Sequence, residues 1–304
     1  MNTDFLNDLD NYLKMKQHRL VNSVLVYEND ELKFERYYNR GSENKTWPIM
    51  SVWKSLLSLT LGICLDKGLV KSLDEPISRY IPQFNMNTHI FHNLITIRHL
   101  LTMSSGIYFN PGIHYHCPMM EQMRRSADWI SHIAEVQTTD YPGTKFVYKE
   151  WDVILLSALI GKACGGTAWD VAGEYLHKPL GITSQWIISK NGMSFAADAD
   201  DDRTNELTAR DMAKIGLLTL HGGEWNRQRI VSDEYIKAAV SPSAANSGYG
   251  FLWWLSSYGW HGRGFGGQEL NVYPDKNIVV VVQATVTPSS KSYGDICENI
   301  IGGQ

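Results

Sequence analysis

Strand-type sequence occupies both ends of this 304-residue chain, and helix-type sequence fills most of the middle. Near the N-terminus, VNSVLVYEN (21–29) and LKFERYYN (32–39) alternate around Asn29-Asp30, the pattern of a β-hairpin. After about residue 245 the strand pattern returns: YGFLWWLSS reads as one strand, and QELNVYPDKNIVVVVQATV as a hairpin turning at Asp275-Lys276-Asn277. From about residue 74 to 224 the chain is mostly helical with loops. There TIRHLLTMSSG predicts a short helix ending near Gly106, and WDVILLSALIGKACGG an apolar helix stopped by glycines. TARDMAKIGLLTLHGG has the same form, with Thr208 three residues before Asp211 in the manner of a capping box. Phe5, Leu6, Leu9 and Leu13 share one helical face at the N-terminus, and SSKSYGDICENII closes the chain as a helix. The economical arrangement is α+β: one antiparallel sheet built from both chain ends, flanked by the terminal helices, with a mostly helical region inserted. The expected division is 1–75 and 225–304 for the sheet domain and 76–224 for the helical domain.

A net charge of −4, with 43% hydrophobic and 20% charged residues, fits a soluble globular protein and argues against a nucleic-acid surface. Ten tryptophans and fifteen tyrosines are enough to line a cleft as well as a core. Cys64, Cys117, Cys164 and Cys297 are far apart and form no CxxC, so they are read as free thiols of a reducing compartment. The N-terminal stretch has no apolar signal core, which gives a cytoplasmic expectation, or a secreted one if the chain was trimmed. No stretch reaches the roughly 18 uncharged apolar residues of a membrane span.

The run that comes closest, WPIMSVWKSLLSLTLGICL (47–65), contains one charge, Lys54, three residues after Ser51. Positions i and i+3 share a helix face. If Ser51 opens the helix, its hydroxyl sits where backbone N–H groups and the helix dipole favour negative charge, and Lys54 reaches it from the next turn. Trp53, Leu56, Leu57, Leu59 and Leu61 make the helix apolar nearly all round, hence buried. Burial disfavours an ammonium and lowers its pKa by up to several units. The expectation is a neutral lysine acting as general base toward a serine nucleophile; the competing reading is a lysine that snorkels to water. S-x-x-K occurs again at Ser42–Lys45, but in a polar loop where the lysine stays solvated.

SVWK, LITIRHLLTMSSGI, PGTKFVY, GYGFLWWL and GRGFGGQELNVYPDKNIVVVV follow one another between about residues 20 and 285. Together they resemble the serine β-lactamase and penicillin-binding-protein-like superfamily, nearest in style to its class C β-lactamase-like esterases and 6-aminohexanoate-dimer hydrolase-type enzymes. The resemblance implies a β-lactamase-like fold, an active site between the two domains, no cofactor, and an acyl-enzyme mechanism. It implies Ser51 as nucleophile, Lys54 as its base partner, and Tyr148, which follows PGTKF, as the group exchanging protons with hydroxyl, leaving group and water. A tyrosine near pKa 10 needs a neighbouring positive charge for this, which Lys54 supplies; the alternative is a core aromatic with a satisfied hydroxyl. The family usually carries Tyr-x-Asn here, whereas this chain has Tyr148-Lys149-Glu150. The missing amide argues against β-lactam or peptidoglycan recognition and leaves Glu150 to pair with a lysine or bind a substrate amine.

β-Lactamases place Lys-Thr/Ser-Gly where this chain has HGRGFGGQ (261–268), a glycine-rich variant like that of the esterase and amide-hydrolase branches. The strand's task in the family is to offer a backbone N–H to an oxyanion hole beside that of Ser51. Register to Gln268 and Pro274 assigns this donor to Phe265, with Gly264 next to it. His261 either takes over the electrostatic role of the absent lysine or is an ordinary strand-end histidine. Tyr108, just after SSGI, is a further substrate-binding candidate.

Gly262, Gly264 and Gly267 also spell G-x-G-x-x-G, but a dinucleotide site must open a helix, and QELNVYP alternates like a strand. There is no G-x-S-x-G nucleophile elbow. His114, His116 and Cys117 lack a partner cluster for a metal and are read as a loop lining the cleft. Asp198, Asp200, Asp201 and Asp202 lack calcium-loop spacing and are read as a solvated loop. The sequence thus reads as a serine hydrolase acting on a small-molecule ester, amide or peptide, without metal, nucleic-acid or membrane partners. A β-lactamase or D,D-peptidase on the same frame, and a non-catalytic small-molecule or protein-binding scaffold, are the alternatives.

Overall fold

In the computed structural model, which describes residues 1, 3–85, 89–110, 112, 117–195, 203–287 and 291–302, the two ends of the chain meet in one sheet. The strands are β1 (Val21–Glu28), β2 (Glu31–Tyr37), β3 (Trp47–Pro48), β4 (Glu206–Leu207), β5 (Glu224–Trp225), β6 (Gln228–Arg229), β7 (Trp254–Ser256), β8 (Gly259–Gly264), β9 (Gln268–Tyr273) and β10 (Ile278–Ala284). The α-helices are α1 (Thr3–Leu13), α2 (Val52–Asp66), α3 (Ile97–Leu101), α4 (Pro118–Arg125), α5 (Trp129–Ala134), α6 (Glu150–Cys164), α7 (Ala168–Ala172), α8 (Lys178–Leu180), α9 (Ala209–Leu220), α10 (Asp233–Ala239) and α11 (Gly294–Gly302). Six strands form the main antiparallel sheet in the order β2-β1-β10-β9-β8-β7.

Local chemistry explains the hairpins. Asn29 and Asp30 both adopt positive φ, 52° and 65°, which suits the tight β1–β2 turn and which these two residue types tolerate better than most. Asn277 (φ 52°) does the same between β9 and β10. The first and last strands then pair, with Val24 opposite Val282 and Val26 opposite Val280. All seven residues of β10 are buried because the strand is central and covered on both faces. Ile278, Val280 and Val282 pack toward Leu9 and Leu13 of α1 and Ile296 and Ile300 of α11. Val279 and Val281 join the other, larger core with α2 and α9.

Helix α2 is buried from Val52 to Cys64, with β8 on one side and α6 and α7 on the other. Helix α9 comes from the stretch expected as helical region, yet it lies on the sheet against β9, β10 and β1. Gly216 permits that approach: a Cβ there would lie 2.6 Å from Val279 Cγ1 and 2.9 Å from Leu270 Cδ1.

Three local expectations are corrected. YGFLWWLSS is a strand only over Trp254–Ser256. Leu252 takes φ 60° and its N–H bonds Leu101 O, so Tyr249 to Trp253 turn inward as a core plug instead of extending the strand. Helix α3 stops at Leu101, short of Gly106, where the backbone turns left-handed at Met103 (φ 53°) and Ser104 N–H closes back on His99 O at 2.8 Å. Thr208 caps the Asp211 N–H at 3.0 Å, but Asp211 pairs with Lys214 instead of returning to the cap. The four cysteines are free, and among the described residues no helix is long and apolar enough to cross a membrane. His114, His116 and the acidic run Asp198, Asp200, Asp201 and Asp202 lie outside the described residues.

Replacing Gly216 with valine should overpack the α9–sheet contact and cost about 1–3 kcal/mol. Urea unfolding should show a lower midpoint with an unchanged slope; an unmoved midpoint would refute the close contact.

Candidate active site

The segment before Ser51 is held by the short β3–β4 ladder and by a bond from Ile49 N–H to Asn205 O at 2.9 Å. Met50 then takes φ 49°, uncommon for a residue with a side chain, and this turn delivers Ser51 to the start of α2. Ser51 occupies the N-cap position but its hydroxyl caps nothing. Its Oγ accepts from Lys54 Nζ at 2.9 Å instead. Lys54 is 1% exposed, so it does not snorkel. The serine and lysine are therefore brought together as their spacing suggested. Ser42 and Lys45 are exposed, with Lys45 lying over the Trp47 ring.

The expected charge state of Lys54 is overturned. Lys54 Nζ also donates to Glu150 Oε1 at 2.7 Å. Burial, the largest influence, pulls the ammonium pKa down, but the Glu150 carboxylate and the Tyr148 phenol together hold it above its ordinary value. A dry site lowers a lysine only when no carboxylate comes with it. Glu150 does pair with a lysine, one of the two roles its position left open, and the lysine is Lys54.

Tyr148 stands beside this pair, its ring centroid 5.1 Å from Lys54 Nζ. It stacks on Trp254 at 5.6 Å and meets Tyr249 edge-on at 6.3 Å, so its ring is held in an aromatic wall. The backbone at Lys149 is extended (φ −153°, ψ 153°), which turns successive side chains to opposite sides. Tyr148 and Glu150 face Lys54, whereas Lys149 donates to Ser105 Oγ at 3.1 Å and Ile107 O at 3.0 Å. Sequence reasoning passed over Lys149, Ser105 and Asp152. Asp152, a charge opening the apolar run VILLSALI, was the available signal, of the same kind that singled out Lys54.

Strand β8 closes the other side. A Cβ on Gly262 would lie 3.2 Å from Val52 Cγ1, and one on Gly264 2.5 Å from Ile49 O and 3.1 Å from Met50 Cβ. The end of the strand thus abuts the turn into Ser51 as bare backbone. Phe265 follows, half-buried, in the turn 265–267 that leads into β9, so the G-x-G-x-x-G pattern precedes a strand and opens no helix. Gln268 is buried and clamps the end of β10, donating to Ala284 O at 2.8 Å and accepting from Ala284 N–H at 3.2 Å.

His261 does not replace the absent lysine. Along β8 it points to the face opposite Gly262 and Gly264, where Nδ1 meets Asn271 Oδ1 at 2.5 Å and Nε2 meets Ser256 Oγ at 2.8 Å. Burial pushes its pKa down to about 4, so it is neutral and structural. Tyr108 is 42% exposed, its backbone fixed by Gln137 O and Trp151 Nε1. Among the described residues no group of three or more His, Cys, Asp or Glu side chains is placed to hold a metal.

This sheet, its covering helices and their order define a β-lactamase-fold protein. The chain belongs to the Beta-lactamase family, whose sequence model matches residues 9–296. It is 22% identical to the 6-aminohexanoate-dimer hydrolase of Paenarthrobacter ureafaciens, over 91% of this chain and 74% of that one. It is 22% identical to esterase EstB of Burkholderia gladioli, over 78% and 64% respectively. A putative beta-lactamase from Bacteroides dorei DSM 17855 shares the fold at TM-score 0.81 and 17% identity, covering 99% of this chain and 98% of that chain. A penicillin-binding protein from Bacillus halodurans does so at TM-score 0.74 and 17% identity, covering 99% of each.

His177, like His261, is buried and its pKa is pushed down to about 4. Neither imidazole should titrate between pH 8 and 5 by NMR. Because the unfolded chain takes up protons below about 6.5 that these folded sites refuse, both should also subtract stability as pH falls from there toward 4. A His261 resonance titrating near 6.5 would return it to the list of charged site residues.

Proposed function

We propose that the protein is a serine hydrolase that cleaves an ester or amide bond through a Ser51 acyl-enzyme. The observation that carries this reading is the chain of contacts from Ser51 Oγ to Lys54 Nζ (2.9 Å) to Glu150 Oε1 (2.7 Å) at the head of a buried helix. Membership of the Beta-lactamase family and the hydrolase and esterase names of two relatives support the reaction class.

At rest Lys54 is an ammonium, and the working base is the fraction that has released its proton. As Lys54 takes the proton of Ser51, positive charge returns to a nitrogen that already faces Glu150. The carboxylate thereby stabilises the proton transfer, as a buried aspartate does for a catalytic imidazolium. Ser51 Oγ attacks the substrate carbonyl, and the backbone N–H groups of Ser51 and Phe265, beside Gly264, hold the oxyanion. Tyr148 passes a proton to the leaving group, and the same groups then activate the water that releases the acid. The substrate lies between the sheet domain (1–75 and 225–304), with α9 packed on it, and the rest of the 76–224 helical region, near Tyr108. With Glu150 in place of the usual amide and no Lys-Thr-Gly strand, esters and amides fit this site better than β-lactams.

A fluorophosphonate probe should label Ser51, and Ser51→Ala should lose both labelling and hydrolysis of p-nitrophenyl esters, with nitrocefin untouched by either protein. Labelling that survives Ser51→Ala defeats the assignment. In Glu150→Gln burial acts on Lys54 without the opposing carboxylate. The rise of labelling rate with pH should then move to lower pH by about one unit or more. An unshifted profile would show that Lys54 is not the base.

A further inference from the structure

Next to the Ser51–Lys54–Glu150 chain lies a second buried charged cluster that the mechanism above does not use. Lys149 is 1% exposed, and Ser105 and Asp152 are both 0% exposed. Ser105 Oγ donates to Asp152 Oδ1 at 2.5 Å and accepts from Lys149 Nζ at 3.1 Å; Lys149 and Asp152 are 3.9 Å apart. Ser105 resembles a second nucleophile with its own lysine, but its burial excludes substrate. Burial pushes Asp152 up to about 6 even with Lys149 opposing the shift, a sign of what it costs to hold this pair dry. Apolar residues of similar volume would stabilise the fold as well or better. The cluster therefore calls for a reason other than stability.

We propose that Lys149, with Ser105 and Asp152, is a positioning anchor that holds Tyr148 and Glu150 against Lys54. The proposal rests on the hydrolase reading of that site. Its basis is an alternation. Val147 N–H bonds Met103 O at 2.9 Å, Lys149 Nζ bonds Ile107 O at 3.0 Å, and Trp151 Nε1 bonds Tyr108 O at 3.1 Å. Residues 147, 149 and 151 are thus tied to the 103–108 segment, and the residues between them, 148 and 150, are the two that face Lys54. Lys149 supplies the middle tie, the one flanked on both sides by site residues. Asp152 neutralises it and, through Ser105, fixes the loop that it grips; Asp152 Oδ2 also accepts from Ser105 N–H at 3.4 Å. Without the ammonium, residues 148–150 lose both of the side-chain hydrogen bonds that Lys149 makes to that loop, to Ser105 Oγ and Ile107 O, and Tyr148 and Glu150 can drift together.

The test compares Lys149→Met with the double variant Lys149→Met/Asp152→Asn, in which both charges are gone and Ser105 keeps an acceptor. The single variant should unfold at clearly lower temperature, because it strands a buried carboxylate, and the double variant should recover most of that loss. In both, the rate constant for fluorophosphonate labelling of Ser51 and kcat on a p-nitrophenyl ester should fall about tenfold or more, with KM within about twofold, because misplaced groups slow the chemistry more than they weaken binding. A crystal structure of the double variant should show Glu150 beyond hydrogen-bond distance of Lys54. A double variant that is stable, keeps the Lys54–Glu150 bond and labels at the wild-type rate would reduce the cluster to a structural pair. Wild-type protein that never labels would sink the hydrolase reading alone, since the crystal structure still decides whether the anchor positions Glu150.

Discussion

The bond between Lys54 and Glu150 is the interaction on which the site depends. Lys54 comes from α2, which lies under the sheet, and Glu150 begins α6 in the helical region. An ammonium at 1% exposure with no counter-charge would be severely penalised, so Lys54 depends on Glu150 more than the partly exposed Glu150 depends on Lys54. The pair therefore couples the placement of two elements nearly a hundred residues apart in sequence. It also sets the chemistry, because the carboxylate that makes burial tolerable also keeps the lysine protonated. A neutral resting base and a well-paired buried lysine are alternatives, and this chain has the second.

Two stretches of extended backbone place the remaining groups, and each does so by alternation. Along β8, Gly262 and Gly264 face α2 and the turn into Ser51, while His261 faces the α11 side and is sealed there by Asn271 and Ser256. Along 147–151, Tyr148 and Glu150 face Lys54 while their neighbours hold the 103–108 loop. Glycine is needed at 264 because the carbonyl of Ile49 occupies the space a Cβ would take. The strand end can then serve the site only through its backbone.

Much of this was legible beforehand. Apolar alternation, and in β10 an unbroken apolar run, located β1, β2, β9 and β10, since a strand covered on one face carries apolar residues at fixed intervals and one covered on both carries them throughout, and local turn residues such as Asn29-Asp30 fixed where the chain reverses. Ser51 and Lys54 were legible because i and i+3 are neighbours on any helix. The short extent of β7 was not, because Phe251, Leu252 and Trp253 are equally suited to a strand and to a plug between sheet and helices. Nor was the place of α9, whose amphipathic pattern states that one face is buried but not against what.

The sequence by itself determined the strand and helix periods and the nearness of Ser51 to Lys54, which follow from local backbone geometry and apolar spacing, and it pointed to the union of both chain ends in one sheet as the economical arrangement of those strands. Tertiary structure alone decided that Glu150 reaches Lys54, that His261 turns away, and that Lys149 is enclosed with Asp152. Each of these depends on what an element meets across the fold: at Lys54 the facing carboxylate and phenol together outweigh burial, whereas at His261 and Asp152 burial prevails over the groups that oppose it.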